Sequence, residues 1–349
     1  MKRSLIALAA ALLATAPLAQ QQTTTPPFGE KVDVNLVLLD AIVTDSTGHQ
    51  ILGLGKDDFV VTENGVAQKI DSVDYFTNRK MVDQPENKAA FKADRMRDDR
   101  YFILFFDKPA EGAMLSQIVR ARAAASDFVR DQMKPTDRVA VAGHDVRLKV
   151  YSDFTNDKKQ LMKALDDATM FGRGITSKGD GPIMTNVDMN TMMKHTGTVF
   201  EALETLADAT RSIKARKDLV LFSAGILTPD QTVRNDVALT RSRYYDAAIG
   251  ALNSADVAVY PVSLQEDLSL IPVVHQALES LAADTNGEYF RFNTSFSPAL
   301  KKIENETNGY YLITYYAPKR TGSGFQKVEV KTATPNFRVR AREGYAFGG

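Results

Sequence analysis

The sequence predicts an α/β protein: a mostly parallel sheet flanked by helices, joined to a β-sandwich that the two ends of the chain build together. Three observations predict it. Tyr101 to Phe106 is an unbroken apolar and aromatic run without alternation, the form of a strand covered on both faces. Strand and helix patterns then alternate from residue 100 to about residue 308, as they do where helices cover both sides of a parallel sheet. Short β-branched and aromatic runs occupy residues 32–78 and 309–349, and a few such strands cannot bury a face without partners.

The chain has 349 residues and suits two domains, with 44% hydrophobic residues for their cores. Lys plus Arg and Asp plus Glu both total 43, so no field of one sign steers the chain toward nucleic acid. There is no cysteine, which excludes disulfides, thiolate metal sites and cysteine nucleophiles.

Residues 1–19 have a basic start, an apolar stretch from Leu5 to Ala14 and small residues at Ala16 and Ala19, the form of a secretory signal peptide. That run is shorter than the roughly 20 residues a membrane span needs. No later stretch is long and apolar enough to cross a bilayer, so the mature chain is expected to be exported, periplasmic or extracellular, without a membrane span. Residues 20–31 are polar with paired prolines and read as a disordered leader.

Val32 to Asp45 reads as a strand, and Thr44 to Gly48 as a turn. Phe59 to Glu63, Asn64-Gly65 and Val66 to Ile70 form a hairpin signal, because Asn-Gly tolerates the positive φ angles of a tight turn. Residues 79–99 are dense in charge, weak in periodicity and broken by Pro85, and read as a linker. After Asp107, Met114, Leu115, Ile118, Val119, Ala125, Phe128 and Val129 recur at helical spacing. Arg138 to Gly143 and Val146 to Tyr151 are short strands around His144-Asp145. Asp157 to Ala168 is a helix with Asn156 available as its cap, and Thr198 to Ile213 is another.

Asp218 to Ser223 is a second buried-type strand, followed by the small loop Ala224-Gly225. A helix over Val237 to Asn253, a strand over Val257 to Val262, a helix over Val274 to Thr285 and a strand over Glu288 to Phe292 follow. Ser297 to Glu306, with Pro298 in its first turn, is the last helix. Tyr310 to Tyr316, Phe325 to Lys331 and Phe337 to Arg340 supply the C-terminal strands. The alternative to a shared sandwich is two separate β segments resting on the α/β core.

This order of pieces resembles the von Willebrand factor A domain, and in particular the A-related proteins of acidobacteria, in which a β segment precedes the A domain. The stretches that carry the resemblance are VDVNLVLLDAIVTD, GLGKDDFVVTENGVAQKI, YFILFFD, DLVLFSAG, ALNSADVAVYPV and GYYLITYYAP with the terminal VRAREGY. The resemblance implies a metal-ion-dependent adhesion site at the carboxyl edge of the sheet. Its usual form is Asp-x-Ser-x-Ser after the first strand, a threonine before a later helix and an aspartate after the fourth strand, a hard-oxygen set suited to Mg²⁺, Mn²⁺ or Ca²⁺. Here Asp107 matches the first position and Thr198 the threonine, but Pro109 and Glu111 stand at the serine positions and Ser223-Ala224-Gly225 lacks the aspartate.

An atypical site using Asp107, Glu111 and Thr198, with Ser223 as an outer hydroxyl, stays open. The plainer reading has Asp107 and Glu111 capping the helix that follows, where negative charge is favourable by roughly 0.3–1 kcal/mol. A second constellation is Met170, Met184, Met189, Met192 and Met193 with His195, soft donors that suit Cu(I). Its bland counterpart is a flexible, glycine-bearing insertion over residues 170–195 whose methionines fill gaps. The four histidines are scattered, His144-Asp145 reads as a polar turn, and no hydrolase, phosphate-loop or zinc spacing is present. The sequence therefore predicts a non-enzymatic protein-binding or scaffold protein, with another protein met along the edge of Asp107, Glu111, Thr198 and Ser223, or along an edge of the sandwich. No cofactor is required, and the alternative is a copper-handling protein using the methionine-rich stretch.

Overall fold

The computed structural model describes residues 34–47, 49–77, 99–108, 115–175, 181–213, 215–226, 243–265, 272–291, 295–306, 309–322 and 324–347. The predicted signal peptide, the leader and nearly all of the linker lie outside these residues, as does Glu111. The N-terminal strands are β1 (Val34–Thr44), β2 (Phe59–Glu63), β3 (Val66–Gln68) and β4 (Ile70–Thr77). The middle of the chain gives β5 (Tyr101–Asp107), α1 (Leu115–Asp127), β6 (Arg138–His144), β7 (Leu148–Thr155), α2 (Lys158–Thr169), α3 (Pro182–Asn186), α4 (Met189–Lys194) and α5 (Val199–Thr210). It continues with β8 (Lys217–Ser223), α6 (Arg243–Ser254), β9 (Val257–Ser263), α7 (Pro272–Asp284) and α8 (Ser297–Glu306). The last strands are β10 (Gly309–Pro318), β11 (Gly324–Thr332), β12 (Arg338–Ala341) and β13 (Gly344–Phe347).

β5 lies at the centre of a five-stranded sheet of order β7-β6-β5-β8-β9. Its neighbours β6 and β8 run parallel to it, and only β7, returning from β6 through a hairpin, is antiparallel. Alternate side chains of β5 feed two cores, as a strand covered on both faces must. Ile103 and Phe105 pack with residues of α3, α5, α6 and α7. Phe102, Leu104 and Phe106 pack with residues of α1, α2 and α8.

The two ends of the chain form two four-stranded antiparallel sheets, β12-β1-β10-β4 and β13-β11-β2-β3. Each sheet mixes N- and C-terminal strands: β1 pairs with β10 from Val34↔Pro318 to Ala41↔Tyr311, and β2 pairs with β11 from Glu63↔Val328 to Phe59↔Thr332. Val37, Leu39, Tyr311, Ile313 and Tyr315 of one sheet share a core with Phe59, Val61, Val328 and Val330 of the other, so the pair is a β-sandwich. The predicted hairpin joins β2 to β3, with φ of 47° at Asn64 and 82° at Gly65. The Tyr-rich strand turns Tyr311 inward, where its ring meets Phe59 and Tyr75 at 5.3 and 4.8 Å.

A buried ionic cluster joins the sandwich to the α/β domain. Arg216, at the entry to β8, donates to Asp40 of β1 at 3.0 Å, to Asp218 at 3.0 Å, and to the Tyr260 hydroxyl and the Asn286 carbonyl at 3.1 Å each. Asn286, at φ 61°, donates its side-chain amide to the Asp40 carbonyl at 2.9 Å. Arg342 adds a second cation 3.5 Å from Asp40. Burial alone would raise the Asp40 carboxyl, but the charges of Arg342 and Arg216 outweigh it and hold the group below the ordinary carboxylate range.

Several elements differ from the sequence reading. The helix after β7 is capped by Asp157, which accepts from the amides of Lys159 and Gln160, while Asn156 donates to the Pro135 carbonyl at 3.0 Å. α1 passes into a π-helical turn over Phe128–Gln132. Of the strand read over Glu288 to Phe292, residues 288–291 are described, and there Phe290 makes an isolated bridge to Val262. The stretch expected to be an irregular insertion holds α3, begun by Pro182 and capped by the Asp153 carboxylate through the amides of Ile183 and Met184, and α4, capped by Asp188. Both helices are too short to present a clear helical period.

Candidate functional site at the carboxyl edge of the parallel sheet

Strand order fixes where this edge is open to function. The chain leaves β5 toward β6 on one side and returns to β8 on the other, so strand order reverses at β5 and a crevice forms outside its carboxyl end. Asp107 ends β5 at that point, opposite His144 in register, and Ser223 ends the neighbouring β8.

These groups are closed on one another. The Ser223 hydroxyl donates to Asp107 Oδ2 at 2.7 Å and accepts from the Gly225 amide at 3.1 Å. His144 Nδ1 lies 3.7 Å from Asp107 Oδ1, too far for a direct hydrogen bond but close enough for charge to act. Its Nε2 lies 3.1 Å from the Thr196 carbonyl, which can only accept, so that nitrogen carries a hydrogen. Thr196 is itself fixed, its hydroxyl donating to the Met192 carbonyl at 2.6 Å and accepting from the Leu148 amide at 2.9 Å. Asp107, His144, Thr196 and Ser223 are all buried. Burial pushes the Asp107 carboxyl up, with His144 and Ser223 acting in the opposite direction.

Thr198 is spent differently. It is the N-cap of α5: its hydroxyl accepts from the Glu201 amide at 3.2 Å and donates to Glu201 Oε2 at 3.0 Å, and that carboxylate also accepts from the Thr198 amide at 2.9 Å. This reciprocal box satisfies the first turn of the helix. Of the predicted site residues, the structure therefore brings Asp107 and Ser223 together, turns Thr198 to capping, and leaves Glu111 outside the described residues. Whether Asp107 and Glu111 cap α1 falls on residues 109–114, outside the described residues; among those described, Asp107 meets Ser223 and His144.

With Glu111 outside the described residues, the groups on view at this edge are Asp107, Ser223, Thr198 and His144. One Asp107 oxygen is taken by a hydroxyl, Thr198 is committed to its helix, and the remaining neighbour is an imidazole rather than an oxygen. Among the described residues no group of three or more His, Asp or Glu side chains is placed to hold a metal. Met189, Met192 and Met193 lie in α4, which His195 ends as its C-cap. Met184 and Met192 lie in the core at 2% and 3% exposure, whereas Met170 and Met193 are exposed at 80% and 62%.

Sequence reasoning missed His144, Thr196 and a second polar cluster beside them. His275 places Nδ1 2.6 Å from the Tyr289 hydroxyl and Nε2 3.0 Å from Gln265 Oε1, next to Ser263 at the end of β9. Burial, aided by Arg291, pushes His275 below its ordinary value. A histidine ending a strand whose neighbour ends in an aspartate is the only signal that could have found His144.

No family model and no curated protein matches the sequence. Among solved structures, an aerotolerance-related membrane protein from Bacteroides fragilis is similar at 16% identity and a TM-score of 0.39, over 60% of this chain and 98% of that one. The vWF domain of the type V pili tip protein Mfa5 from Porphyromonas gingivalis is similar at 11% identity and a TM-score of 0.41, over 60% of this chain and 94% of that one. Likeness at this level fixes neither family nor function for this chain.

Proposed function

We propose that this chain is an exported, non-enzymatic protein-binding or scaffold protein. Its α/β domain is read as a von Willebrand factor A-type domain with a degenerate adhesion site, and its partner as another protein that needs no metal. Support for the domain type comes from the quoted sequence stretches together with a first strand at the centre of the sheet and an aspartate at its carboxyl end. The observation that carries the metal-free reading is the 2.7 Å bond from Ser223 to Asp107, with His144 on the other carboxylate oxygen. The basic, apolar first residues support export.

A hydrolase reading finds less support, because the Ser223 hydroxyl gives its hydrogen to a carboxylate and Asp107, not an imidazole, is its acid–base neighbour. The copper reading is weakened by the burial of Met184 and Met192. The test is co-purification of the mature chain from envelope extracts in EDTA and in millimolar Mg²⁺. The same partner is expected in both; retention that requires the metal contradicts the proposal.

A further inference from the structure

Among the described residues of the α/β domain, the large apolar side chains left exposed are Leu115, Val119, Val146, Met170 and Met193. Chain direction places them together at one end. α1 starts at the carboxyl edge, just after β5, and Leu115 and Val119 lie in its first half. β7 leaves that edge and α2 returns to it, ending at Met170. Val146 is in the turn between β6 and β7, exposed at 65%.

Hydrogen bonds tie the β6–β7 turn to α4 on one side and to the end of α2 on the other. The Arg147 guanidinium donates to the Met193 carbonyl at 2.6 Å and to the Val146 carbonyl at 2.7 Å, so one cation sits between two exposed apolar residues. On the other side of the turn, Lys149 donates to the carbonyls of Phe171 and Gly172 at 3.1 and 3.0 Å, holding the end of α2 against the hairpin. Lys108 lies 5.5 Å from the centre of the Phe171 ring.

The charge of this corner is one-sided. Its carboxylates are engaged: Asp145 is paired with Lys149 at 2.7 Å, and Asp167 with Lys163 at 2.6 Å. Lys108 acts by charge on Asp145, while Arg147, Arg173 and Lys194 form no ion pair with a carboxylate among the described residues. A basic rim around exposed methionines and a valine suits a negatively charged segment that brings its own apolar anchors, because flexible thioethers adapt to varied side chains and unpaired cations select acidic neighbours.

We infer that the partner binds through an acidic segment bearing large apolar side chains, which docks on the corner of Val146, Met170 and Met193 rimmed by Arg147, Arg173 and Lys194. This rests on the partner-binding reading of the carboxyl edge and adds its location and chemistry. The surface lies beside the Asp107 crevice, on the β6–β7 side, and needs no access to the buried carboxylate.

The test uses the mature chain and three fluorescein-labelled 12-residue peptides, of repeating Glu-Leu-Glu-Phe, Lys-Leu-Lys-Phe and Glu-Ser, read by anisotropy. The Glu-Leu-Glu-Phe peptide is expected to bind best, to weaken as salt rises, and to bind about tenfold less tightly to Met193→Ser and to Lys194→Glu. Val60→Ser and Lys331→Glu, on the outer face of the sandwich, should leave it unchanged; those sites are exposed and serve as fold-neutral controls. Equal binding of the lysine peptide, or binding unaffected by the corner substitutions, overturns the inference. A natural partner captured equally by wild type and by Met193→Ser/Lys194→Glu overturns this inference alone and leaves the partner-binding reading intact, whereas a chain that captures no partner overturns both.

Discussion

Replacing Arg216 by methionine should break the junction between the sandwich and the α/β domain. The side chain is 5% exposed and faces Asp40 at 4% and Asp218 at 5%, so removing the guanidinium leaves two carboxylates in a site water does not reach. Breaking a buried pair by deleting one partner costs about 3–5 kcal/mol, against a total stability of about 5–15 kcal/mol. For a chain of this size that lowers the unfolding midpoint by roughly 4–7 °C. The deficit should also depend on pH in a set direction. Asp40 has its pKa lowered in the folded state, so its contribution is present above the unfolded value near 3.8 and is lost as pH falls through the folded one. The gap between wild type and Arg216→Met, read by urea unfolding, should therefore be wide at pH 7 and narrow below about pH 4. Adding Asp40→Asn to the variant should recover part of the loss. A deficit below about 1 kcal/mol at pH 7, or one that widens in acid, would refute the assignment of this cluster as the junction.

Ser223→Ala removes the hydroxyl that satisfies the buried Asp107 carboxylate, and equilibrium unfolding should record a loss of about 1.5–3 kcal/mol, the scale of a hydrogen bond to a charged group. Thr198→Ala dissolves the cap of α5 and should cost about 1 kcal/mol by the same assay without altering partner capture. Asp256 is pushed up to about 7 by burial and by the charge of Asp40 beside it. Its folded form keeps a proton that the unfolded chain has released, so wild type should lose stability as pH rises from about 4 to about 7. Asp256→Asn should lack that slope, which melting curves at pH 5 and pH 8 can compare directly.

The features legible in the sequence were those written locally. An uninterrupted apolar run marked β5, Asn64-Gly65 marked the hairpin, and strand-like runs at both ends marked a shared sandwich because neither set could bury a face alone. Ser223 was legible as a hydroxyl near Asp107 once both were placed at strand ends. What stayed hidden depends on contacts far apart in the chain. Arg216 and Asp40 give no mutual signal, since only the packing of the sandwich on the sheet brings them together. His144 looked like a turn residue because strand register, not composition, sets it opposite Asp107. A threonine before a helix can serve as a cap or as a donor, and Glu201 three residues on is the sequence sign of the capping box that Thr198 forms. The short helices α3 and α4 escaped because each spans under two turns, too few for periodicity to register.

Thermal unfolding of the mature chain in EDTA and in millimolar Mg²⁺, Mn²⁺ or Ca²⁺, beside Asp107→Ala, decides between a metal-free and a metal-gated edge. A closed edge in which Ser223 is bonded to the Asp107 carboxylate and His144 lies 3.7 Å from it predicts the same midpoint in every condition, with Asp107→Ala less stable and equally indifferent to the ions. A cation at about 100 times its dissociation constant would add about 2.7 kcal/mol, a rise of roughly 4 °C. A rise of that size, absent from Asp107→Ala, would contradict the metal-free reading and make adhesion metal-gated.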